Sequence, residues 1–255
     1  MTLVVTEAIV LHSFDYLESS RIFKLVTREA GVRSVLARGA RRSKRRFGSA
    51  LDLYAQGTAE LQTKSGRDLD TLSAFDVTRA RPQLAAQLSR FTGASAIAEL
   101  TLRFTSEEAD PGLFDAVESA FDDIAAAPPD RARDVTIESA WRVVSELGLA
   151  PTVDNCAECH APVGRDAAVL FSHPAGGALC ARCGHLARSA RTLPPEARAA
   201  LRDWLSGASH PLADVNDARA HQRLLHEFLR EHLADDRPLR AFDVWEHDAW
   251  TGGVA

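Results

Sequence analysis

The stretch Arg21-Ile22-Phe23-Lys24-Leu25-Val26, followed by Gly31-Val32-Arg33-Ser34-Val35-Leu36-Ala37, decides the fold that we expect for the first third of this chain. In both segments apolar and polar side chains alternate, which is the period-two pattern of a strand with one buried face. A turn at Glu29 to Gly31 separates them. The sequence therefore predicts two consecutive strands.

Three further segments around this pair have strand character. Val4, Val5, Ile9, Val10 and Leu11 form a first strand rich in β-branched residues, Leu51 to Leu61 supplies a fourth, and Leu69 to Val77 a fifth. Five short strands in about 75 residues predict a small antiparallel barrel, and the OB-fold is the five-stranded architecture best known for holding single-stranded nucleic acid. An SH3-like barrel is the competing architecture.

From Arg81-Pro82 onward the apolar residues recur with the 3.6-residue period of helices. A first helix is marked from Leu84 to Leu100, a second opens at Asp110-Pro111, a third stops at Gly148, and two more follow Pro194-Pro195. We therefore predict a multi-domain α+β chain. Residues 1–80 form an OB-fold nucleic-acid-binding domain, and residues 81–255 form an α-helical domain with a zinc-ribbon-like insertion at about 152–190.

Charge is unevenly distributed along the 255 residues. The segment from Arg21 to Arg46 has ten basic residues against one acid, Glu29, so it carries +9 in a chain whose net charge is −5. The remainder carries −14. This asymmetry predicts a local anion-binding surface on a protein whose own acidity keeps it off nonspecific polyanions.

The sequence also bears on location. No apolar run approaches the roughly 18 residues of a membrane helix, and the N-terminus Met-Thr-Leu-Val-Val-Thr-Glu lacks the basic flank and long apolar stretch of a signal peptide. We therefore expect a cytoplasmic protein. A reducing compartment favours metal-bound cysteines over disulfides.

The four cysteines of the chain form two C-x-x-C pairs with twenty residues between them, Cys156 with Cys159 and Cys180 with Cys183. This is the spacing of a four-thiolate zinc ribbon. Four thiolates leave no open coordination position, so we predict one structural Zn²⁺ and no catalytic zinc. The alternatives are two disulfides or four free thiols. The neighbouring His160, His173 and His185 are alternative ligands that four cysteines make unnecessary.

The densest basic cluster is Arg38-Gly39-Ala40-Arg41-Arg42-Ser43-Lys44-Arg45-Arg46, between the third and fourth predicted strands. Six cations in nine residues repel one another unless water or an anion neutralises them. Arginine binds phosphate in bidentate fashion, and cations of the preceding strands extend the patch along a barrel groove. The predicted DNA-binding residues are Arg21, Lys24, Arg33, Arg38, Arg41, Arg42, Lys44, Arg45 and Arg46. A solvated loop without a ligand is the alternative.

Aromatic residues that could stack on bases are sparse near this patch. The candidates are Phe14, Tyr16, Phe47 and Tyr54, and Tyr54 is equally a candidate for the barrel core. Few stacking partners indicate binding dominated by the phosphate backbone, with little sequence preference.

The chain has no phosphate-binding loop, no nucleophile elbow, no H-E-x-x-H zinc motif and no zinc-deaminase motif. We therefore predict that it is not an enzyme. A nuclease or nucleotidyl transferase using acids at strand ends is a weaker alternative, and a zinc-containing interaction scaffold from another pathway is a second one. His221, His226 and His232 lie on one predicted helix and are read as ordinary surface or boundary residues.

Several motifs resemble RecO, the bacterial recombination-mediator family. The resemblance is strongest in Ala8-Ile9-Val10-Leu11-His12-Ser13, Glu18-Ser19-Ser20, Thr27-Arg28-Glu29-Ala30-Gly31 and Ala37-Arg38-Gly39-Ala40-Arg41-Arg42-Ser43. It continues more weakly through Leu147-Gly148-Leu149-Ala150-Pro151 and Arg237-Pro238-Leu239-Arg240. The motifs follow the family order along essentially the whole chain, and the specific ones lie in the N-terminal third.

The resemblance implies an OB-fold, a helical domain and, as in many members, a four-cysteine zinc module. It also implies DNA repair and recombination activity. Such a protein binds single- and double-stranded DNA, anneals complementary strands, and works with RecR and single-strand-binding protein to help load RecA. Arg38, Arg41, Arg42 and Lys44 match the DNA-binding stretch of the family, and Arg45 and Arg46 extend it here. A nucleoid-associated location follows from these roles.

Overall fold

The computed structural model describes residues 2–40, 51–63, 66, 68–105, 108–164, 168–187, 189–232 and 237–248. The chain divides into two compact units, Met1–Pro129 and Asp130–Ala255. This division concerns packing only, so the domain boundary expected after residue 80 stays a prediction. None of the helices in the described part of the chain has the length and apolarity needed to span a bilayer.

Five strands of the first unit form a closed barrel. Their bounds are β1 Thr2–Tyr16, β2 Ser20–Thr27, β3 Gly31–Ala37, β4 Gln56–Thr63 and β5 Asp70–Arg79. The hydrogen-bonded order is β1-β2-β3-β5-β4, and β4 returns to pair with β1. All neighbours are antiparallel except β3 and β5, which meet in parallel through two residue pairs. The predicted five-stranded OB-type architecture is confirmed.

The predicted fourth strand is wrong at its start. We expected it from Leu51, whereas β4 begins at Gln56. Tyr54 has a φ of 65°, in the left-handed region that a strand cannot contain. Its N–H donates to the carbonyl of Val10 at 2.8 Å. The segment before Gln56 is therefore a turn held against β1.

Side chains at alternate positions of the five strands point inward and fill the barrel. The core cluster comprises Ala8, Val10, Phe23, Leu25, Val35, Ala37, Ala59, Leu61, Leu72 and Phe75. The register between β1 and β2 shifts between Val10, opposite Leu25, and His12, opposite Lys24. This bulge reverses the inward and outward positions along β1. Beyond it the even-numbered residues of β1 face outward.

Three helices follow the barrel within the first unit: α1 Pro82–Ala85, α2 Leu88–Phe104 and α3 Pro111–Ala126. We expected a single helix over Leu84 to Leu100, but Gln87 is extended, with φ −140° and ψ 135°, and this interrupts the helix. Helix α3 opens at Asp110-Pro111 as predicted, with the Asp110 carboxylate accepting from the Leu113 N–H at 3.0 Å. This is an N-cap followed by proline at N1.

A buried arginine joins the barrel to α3. The Arg81 side chain is 2% exposed. Its guanidinium donates to the Tyr54 carbonyl at 2.9 Å, to the Gln56 side chain at 2.9 Å and to the Asp122 carboxylate at 2.6 Å. Because every contact is charge-assisted, the helix is held in a defined position on β4 and β5.

The second unit consists of helices around a small three-stranded sheet. The helices are α4 Ala132–Glu146, α5 Ala181–Gly184, α6 Pro195–Leu205, α7 Val215–His232 and α8 Arg240–Asp248. The strands are β6 Val169–Ser172, β7 Gly177–Leu179 and β8 Arg191–Leu193, in the order β7-β6-β8. Trp141, Phe171 and Phe228 are buried at its centre. The predicted helical region with a cysteine module between helices is confirmed.

Candidate metal centre and nucleic-acid interface

The four cysteine sulfurs converge in the second unit. The Sγ atoms of Cys156, Cys159, Cys180 and Cys183 all lie within 4.8 Å of one another. Those of Cys159 and Cys180, one from each C-x-x-C pair, are 3.7 Å apart. Within the described residues, this is the group of side chains placed to hold a metal ion, and His160, His173 and His185 are not part of it.

Local backbone geometry places each sulfur pair. In the first pair, the N–H of His160 donates to the Cys156 carbonyl at 2.8 Å, and His160 adopts a φ of 61°. In the second pair, Cys180 precedes α5, and the Gly184 N–H donates to its carbonyl at 2.8 Å. Each C-x-x-C is therefore a tight turn that points two sulfurs the same way.

The chemistry of the sulfurs suits a metal. Burial raises the pKa of the Cys156 thiol, but backbone N–H groups of Cys159, Cys180 and Glu158 donate to its sulfur and outweigh burial, lowering the pKa to about 6. The N–H of Ala161 similarly lowers the pKa of Cys159. Hydrogen bonding to the Cys180 thiol raises the pKa of Cys183 to about 12. Because neighbouring thiolates repel one another, a cation between the sulfurs is what allows all four to be ionised together.

The spacing of the sulfurs passes a simple test. A tetrahedral zinc with Zn–S bonds of about 2.3 Å separates its sulfurs by about 3.8 Å. The distance of 3.7 Å between the sulfurs of Cys159 and Cys180 agrees with this value. The donor set and its geometry can therefore hold a closed, four-coordinate metal ion, and no ligand position is left for a substrate.

A fully buried arginine of α6 supports the first cysteine turn. The guanidinium of Arg198, 0% exposed, donates to the Val153 carbonyl at 2.7 Å and the Val163 carbonyl at 3.1 Å, and also to the Gly164 carbonyl. One turn later, Arg202 forms a bidentate contact with Asp154, from Nη2 to Oδ1 at 2.6 Å and from Nε to Oδ2 at 3.0 Å. Nothing in the sequence distinguished Arg198 from a surface arginine, and the analysis of motifs missed it.

The predicted DNA-binding residues are divided by the structure. Arg38 is exposed just beyond β3, and Arg21 lies opposite Ala37 at the same end of the barrel. Lys24 is on the outer face opposite His12. Arg33 lies nearer the β2–β3 turn, where its Nε donates to the Ala30 carbonyl at 2.7 Å. The remaining predicted residues, Arg41, Arg42, Lys44, Arg45 and Arg46, lie outside the described residues.

Some cations of the +9 segment already have protein partners. Arg28 pairs with Glu7 at 2.7 Å, with Asp115 of α3 at 2.7 Å and with Glu118 at 3.7 Å. The hydrogen bond to Glu7 raises the pKa of Arg28 above its ordinary value. Arg21 donates to the Ser13 hydroxyl at 2.9 Å and lies 3.4 Å from Asp15. The charge count along the sequence therefore overstates what this face offers a phosphate.

A cavity of about 520 Å³ lies in the second unit between β8, α6 and α7. Leu193, Leu212 and Leu224 contribute to its lining, and Arg191 and Arg223 are also part of it. His221 lines it as well and is only 3% exposed, and His226 on the same helix is 8% exposed, so the prediction of these two as surface or boundary residues is wrong. Helix periodicity alone had left His221 at the margin of the apolar stripe.

Comparison with known proteins gives consistent matches along the chain. Residues 1–81 match a family model described as "Recombination protein O N terminal", and residues 85–241 match "Recombination protein O C terminal". The "DNA repair protein RecO" of Anaeromyxobacter sp. (strain K) is 36% identical over 240 residues, covering 92% of this chain and 93% of the relative. That of Myxococcus xanthus is 32% identical over 238 residues, with 93% and 94% coverage.

Proposed function

The chain belongs to the RecO family of DNA repair and recombination proteins, and we propose that it acts as a recombination mediator that binds DNA without chemically changing it. In this role it binds single- and double-stranded DNA, anneals complementary strands, and helps RecR load RecA on strands coated by single-strand-binding protein. The observation that carries the proposal is the +9 segment from Arg21 to Arg46, whose described part lies on β2 and β3 of a small closed barrel.

The barrel and its charge support DNA binding. Cations that neutralise phosphates release counterions, and this supplies most of the sequence-independent affinity for nucleic acid. Arg38 begins the basic run at the end of β3, and we assign the phosphate contacts to it together with Arg41, Arg42, Lys44, Arg45 and Arg46. Arg21, Lys24 and Arg33 are proposed to extend this surface on the barrel.

Annealing needs no catalytic group. Two complementary strands repel each other through their phosphates, and a cationic surface that holds both lowers this repulsion. The closed four-thiolate cluster is consistent with this role, because it supplies no open metal position for hydrolysis. We propose that its ion is one structural Zn²⁺, which ties the two C-x-x-C turns together. If the chain were a nuclease instead, the pure protein would cleave DNA in a magnesium-dependent reaction.

The first experiment measures DNA affinity against salt and against charge reversal. If about five phosphates are neutralised, log affinity for a single strand falls with log salt at a slope near −3.5, at roughly 0.7 per phosphate. Arg41, Arg42 and Lys44 are changed together to Glu, and binding and annealing should both be lost while the thermal transition stays in place.

The matched control reverses three exposed arginines of the second unit, Arg223, Arg230 and Arg240, and makes the same change in net charge. This control should retain most of the affinity. Binding that does not depend on salt, or a triple reversal at Arg41, Arg42 and Lys44 that still shifts DNA normally, would contradict the proposal and favour a zinc-containing scaffold.

A mediator must also reach DNA that is already coated. We propose that the second unit binds single-strand-binding protein. A second weak contact, made with the protein that coats the strand, raises the overall affinity of the chain for coated DNA by roughly 100-fold or more. The cavity between β8, α6 and α7 is the candidate site, since its leucines suit an apolar peptide end and Arg223 suits acidic residues beside it.

Calorimetry of the full chain with the acidic C-terminal peptide of single-strand-binding protein tests this contact. Leu224→Glu, in the cavity lining, should abolish the heat of binding, whereas Leu186→Glu, at a leucine 82% exposed elsewhere, should leave it unchanged. No detectable heat at tens of micromolar peptide would leave the chain an annealing factor. No motif locates the RecR contact, and a cytoplasmic, nucleoid-associated location follows from the proposed role.

A further inference from the structure

Beyond the bulge at Val10 and His12, β1 carries a row of rings on its outer face. His12, Phe14 and Tyr16 occupy alternate positions, so their side chains leave the same side of the strand. Phe14 is 41% and Tyr16 42% exposed. Burying a large aromatic ring is strongly favourable. Two exposed rings side by side on a regular strand therefore mark a surface that binds something flat and apolar.

The geometry of the row decides how a base can bind. Alternate residues of a strand are about 6.8 Å apart. The ring centres of His12 and Phe14 are 6.0 Å apart and their planes are tilted by 53°, so a base does not fit between these two rings. Phe14 and Tyr16 are exposed, and a base can stack on the open face of either ring.

Strand β2, which pairs with this part of β1, supports the row with a buried side chain and supplies a positive charge. Ile22, opposite Phe14, is buried, and Lys24, opposite His12, has an ammonium group that can meet a phosphate. On the other side of the same strand pair, Arg21 bonds Ser13 and pairs with Asp15. Burial and the charge of Lys24 lower the pKa of His12, which favours the neutral form of its ring.

The Tyr16 end of the row lies near the start of the basic run. Tyr16 is opposite Ser20, whose neighbour Arg21 is opposite Ala37, and Ala37 directly precedes the exposed Arg38. A nucleic-acid strand with a phosphate at Arg38 can thus place its bases on Tyr16 and Phe14. The rings add base stacking to a surface that, through its charge alone, would not distinguish single-stranded from double-stranded DNA.

We propose that His12, Phe14 and Tyr16 form a stacking face for unpaired bases, which gives this chain a preference for single-stranded over double-stranded DNA. The inference rests on the proposed DNA-binding function. Bases in a duplex are already stacked and paired, so they cannot use this face without unpairing. Each base on an aromatic ring adds a contact that the duplex cannot make.

The test compares affinities of the full chain for a labelled oligothymidylate and a blunt duplex of equal length. F14A/Y16A should weaken single-strand binding by about 30-fold or more, because each of the two stacked bases contributes about fivefold or more and the two factors multiply. Duplex affinity should change less than about twofold, because phosphate contacts dominate it. F14Y/Y16F keeps both rings and should bind as the unaltered chain does.

Two controls identify the cause. L3A/V5A removes other exposed apolar side chains of β1, 61% and 57% exposed, and should change neither affinity. An oligonucleotide with a backbone but no bases should bind the unaltered chain weakly and should not distinguish it from F14A/Y16A.

Unchanged single-strand affinity in F14A/Y16A would overturn the inference and leave the face to a protein partner. An equal loss for both DNA forms would overturn it as well, because the rings would then serve phosphate contacts. A chain that binds neither DNA form in its unaltered state would instead refute the proposed function, and the stacking face with it.

Discussion

His221 is an uncharged histidine in the interior of the second unit. Its ring meets that of Trp204 edge-on, with centroids 4.7 Å apart, and its Nδ1 has no hydrogen-bond partner in the described part of the chain. Burial, with a smaller effect of His210, lowers its pKa to about 4. Because burial disfavours the charged form of the ring, the folded chain takes up a proton at His221 less readily than the unfolded chain does.

The stability of the second unit should therefore depend on pH through His221. Above pH 6.5 the His221 ring is neutral in the folded and in the unfolded chain, so it adds no pH dependence to the stability. Between pH 6.5 and 4 the unfolded chain binds a proton at this ring and the folded chain does not. The free energy of unfolding then falls by about 3 kcal/mol, at 1.36 kcal/mol per pKa unit. Urea unfolding followed by tryptophan fluorescence measures it, because all four tryptophans, Trp141, Trp204, Trp245 and Trp250, belong to this unit.

His221→Asn should flatten this dependence, since asparagine takes up no proton in that range. His247→Asn, at an exposed histidine, is the control and should keep the slope of the unaltered chain. Equal pH slopes for the unaltered chain and His221→Asn would show that His221 is protonated or solvated in the fold.

At the scale of elements, helix α6 acts as the support of the first cysteine turn. Arg198 and Arg202 are one turn apart on this helix, so both reach the same neighbouring segment. The Arg198 guanidinium donates to the carbonyl groups of Val153, Val163 and Gly164. The turn around Cys156 is therefore positioned by a helix that contributes no metal ligand.

Arg198→Met should destabilise the second unit by about 3–5 kcal/mol, because it removes a buried charged group that bonds the buried Val153 carbonyl and two partly buried carbonyls. Arg202→Met removes a partly exposed pair with Asp154 and should cost about 1 kcal/mol or less. Tryptophan-detected urea unfolding gives both values. Competition with a chelator should show weaker metal retention for Arg198→Met; equal stability of the two variants would contradict the supporting role of Arg198.

At the scale of the whole molecule, the two candidate sites lie in different compact units. The proposed DNA contacts belong to Met1–Pro129, and the cysteine cluster belongs to Asp130–Ala255. The two tyrosines, Tyr16 and Tyr54, are in the first unit, whereas every tryptophan is in the second. The functions of the two units can therefore be followed separately in the intact chain.

Changing any one cysteine to Ser should release the metal and loosen the second unit. Zinc binding contributes on the order of 10–16 kcal/mol in small zinc modules. Elemental analysis should find one zinc per unaltered chain and almost none in Cys159→Ser, with a lower tryptophan-detected transition. DNA affinity at the barrel should persist. His185→Ala, next to the cluster but not in it, should keep the metal, and well under half an equivalent of zinc in the unaltered chain would refute the zinc assignment.

Local patterns of the sequence determined the strands, the helices and the two cysteine turns, because a period of two or 3.6 residues and a C-x-x-C spacing act over one or two turns of chain. The alternation from Arg21 to Ala37 appears as β2 and β3, and Cys156, Cys159, Cys180 and Cys183 converge as their spacing indicated. The start of β4 was misread, since the left-handed turn at Tyr54 depends on its contact with Val10.

Only the tertiary structure decided which charged and polar side chains are available. Arg28 and Arg38 look alike in the basic segment, yet Arg28 is held by acids of β1 and α3 whereas Arg38 is exposed. Arg198 and His221 follow helix patterns that leave them near the surface, and both are buried. Burial and charge pairing depend on residues far away in the chain, so no local period can reveal them.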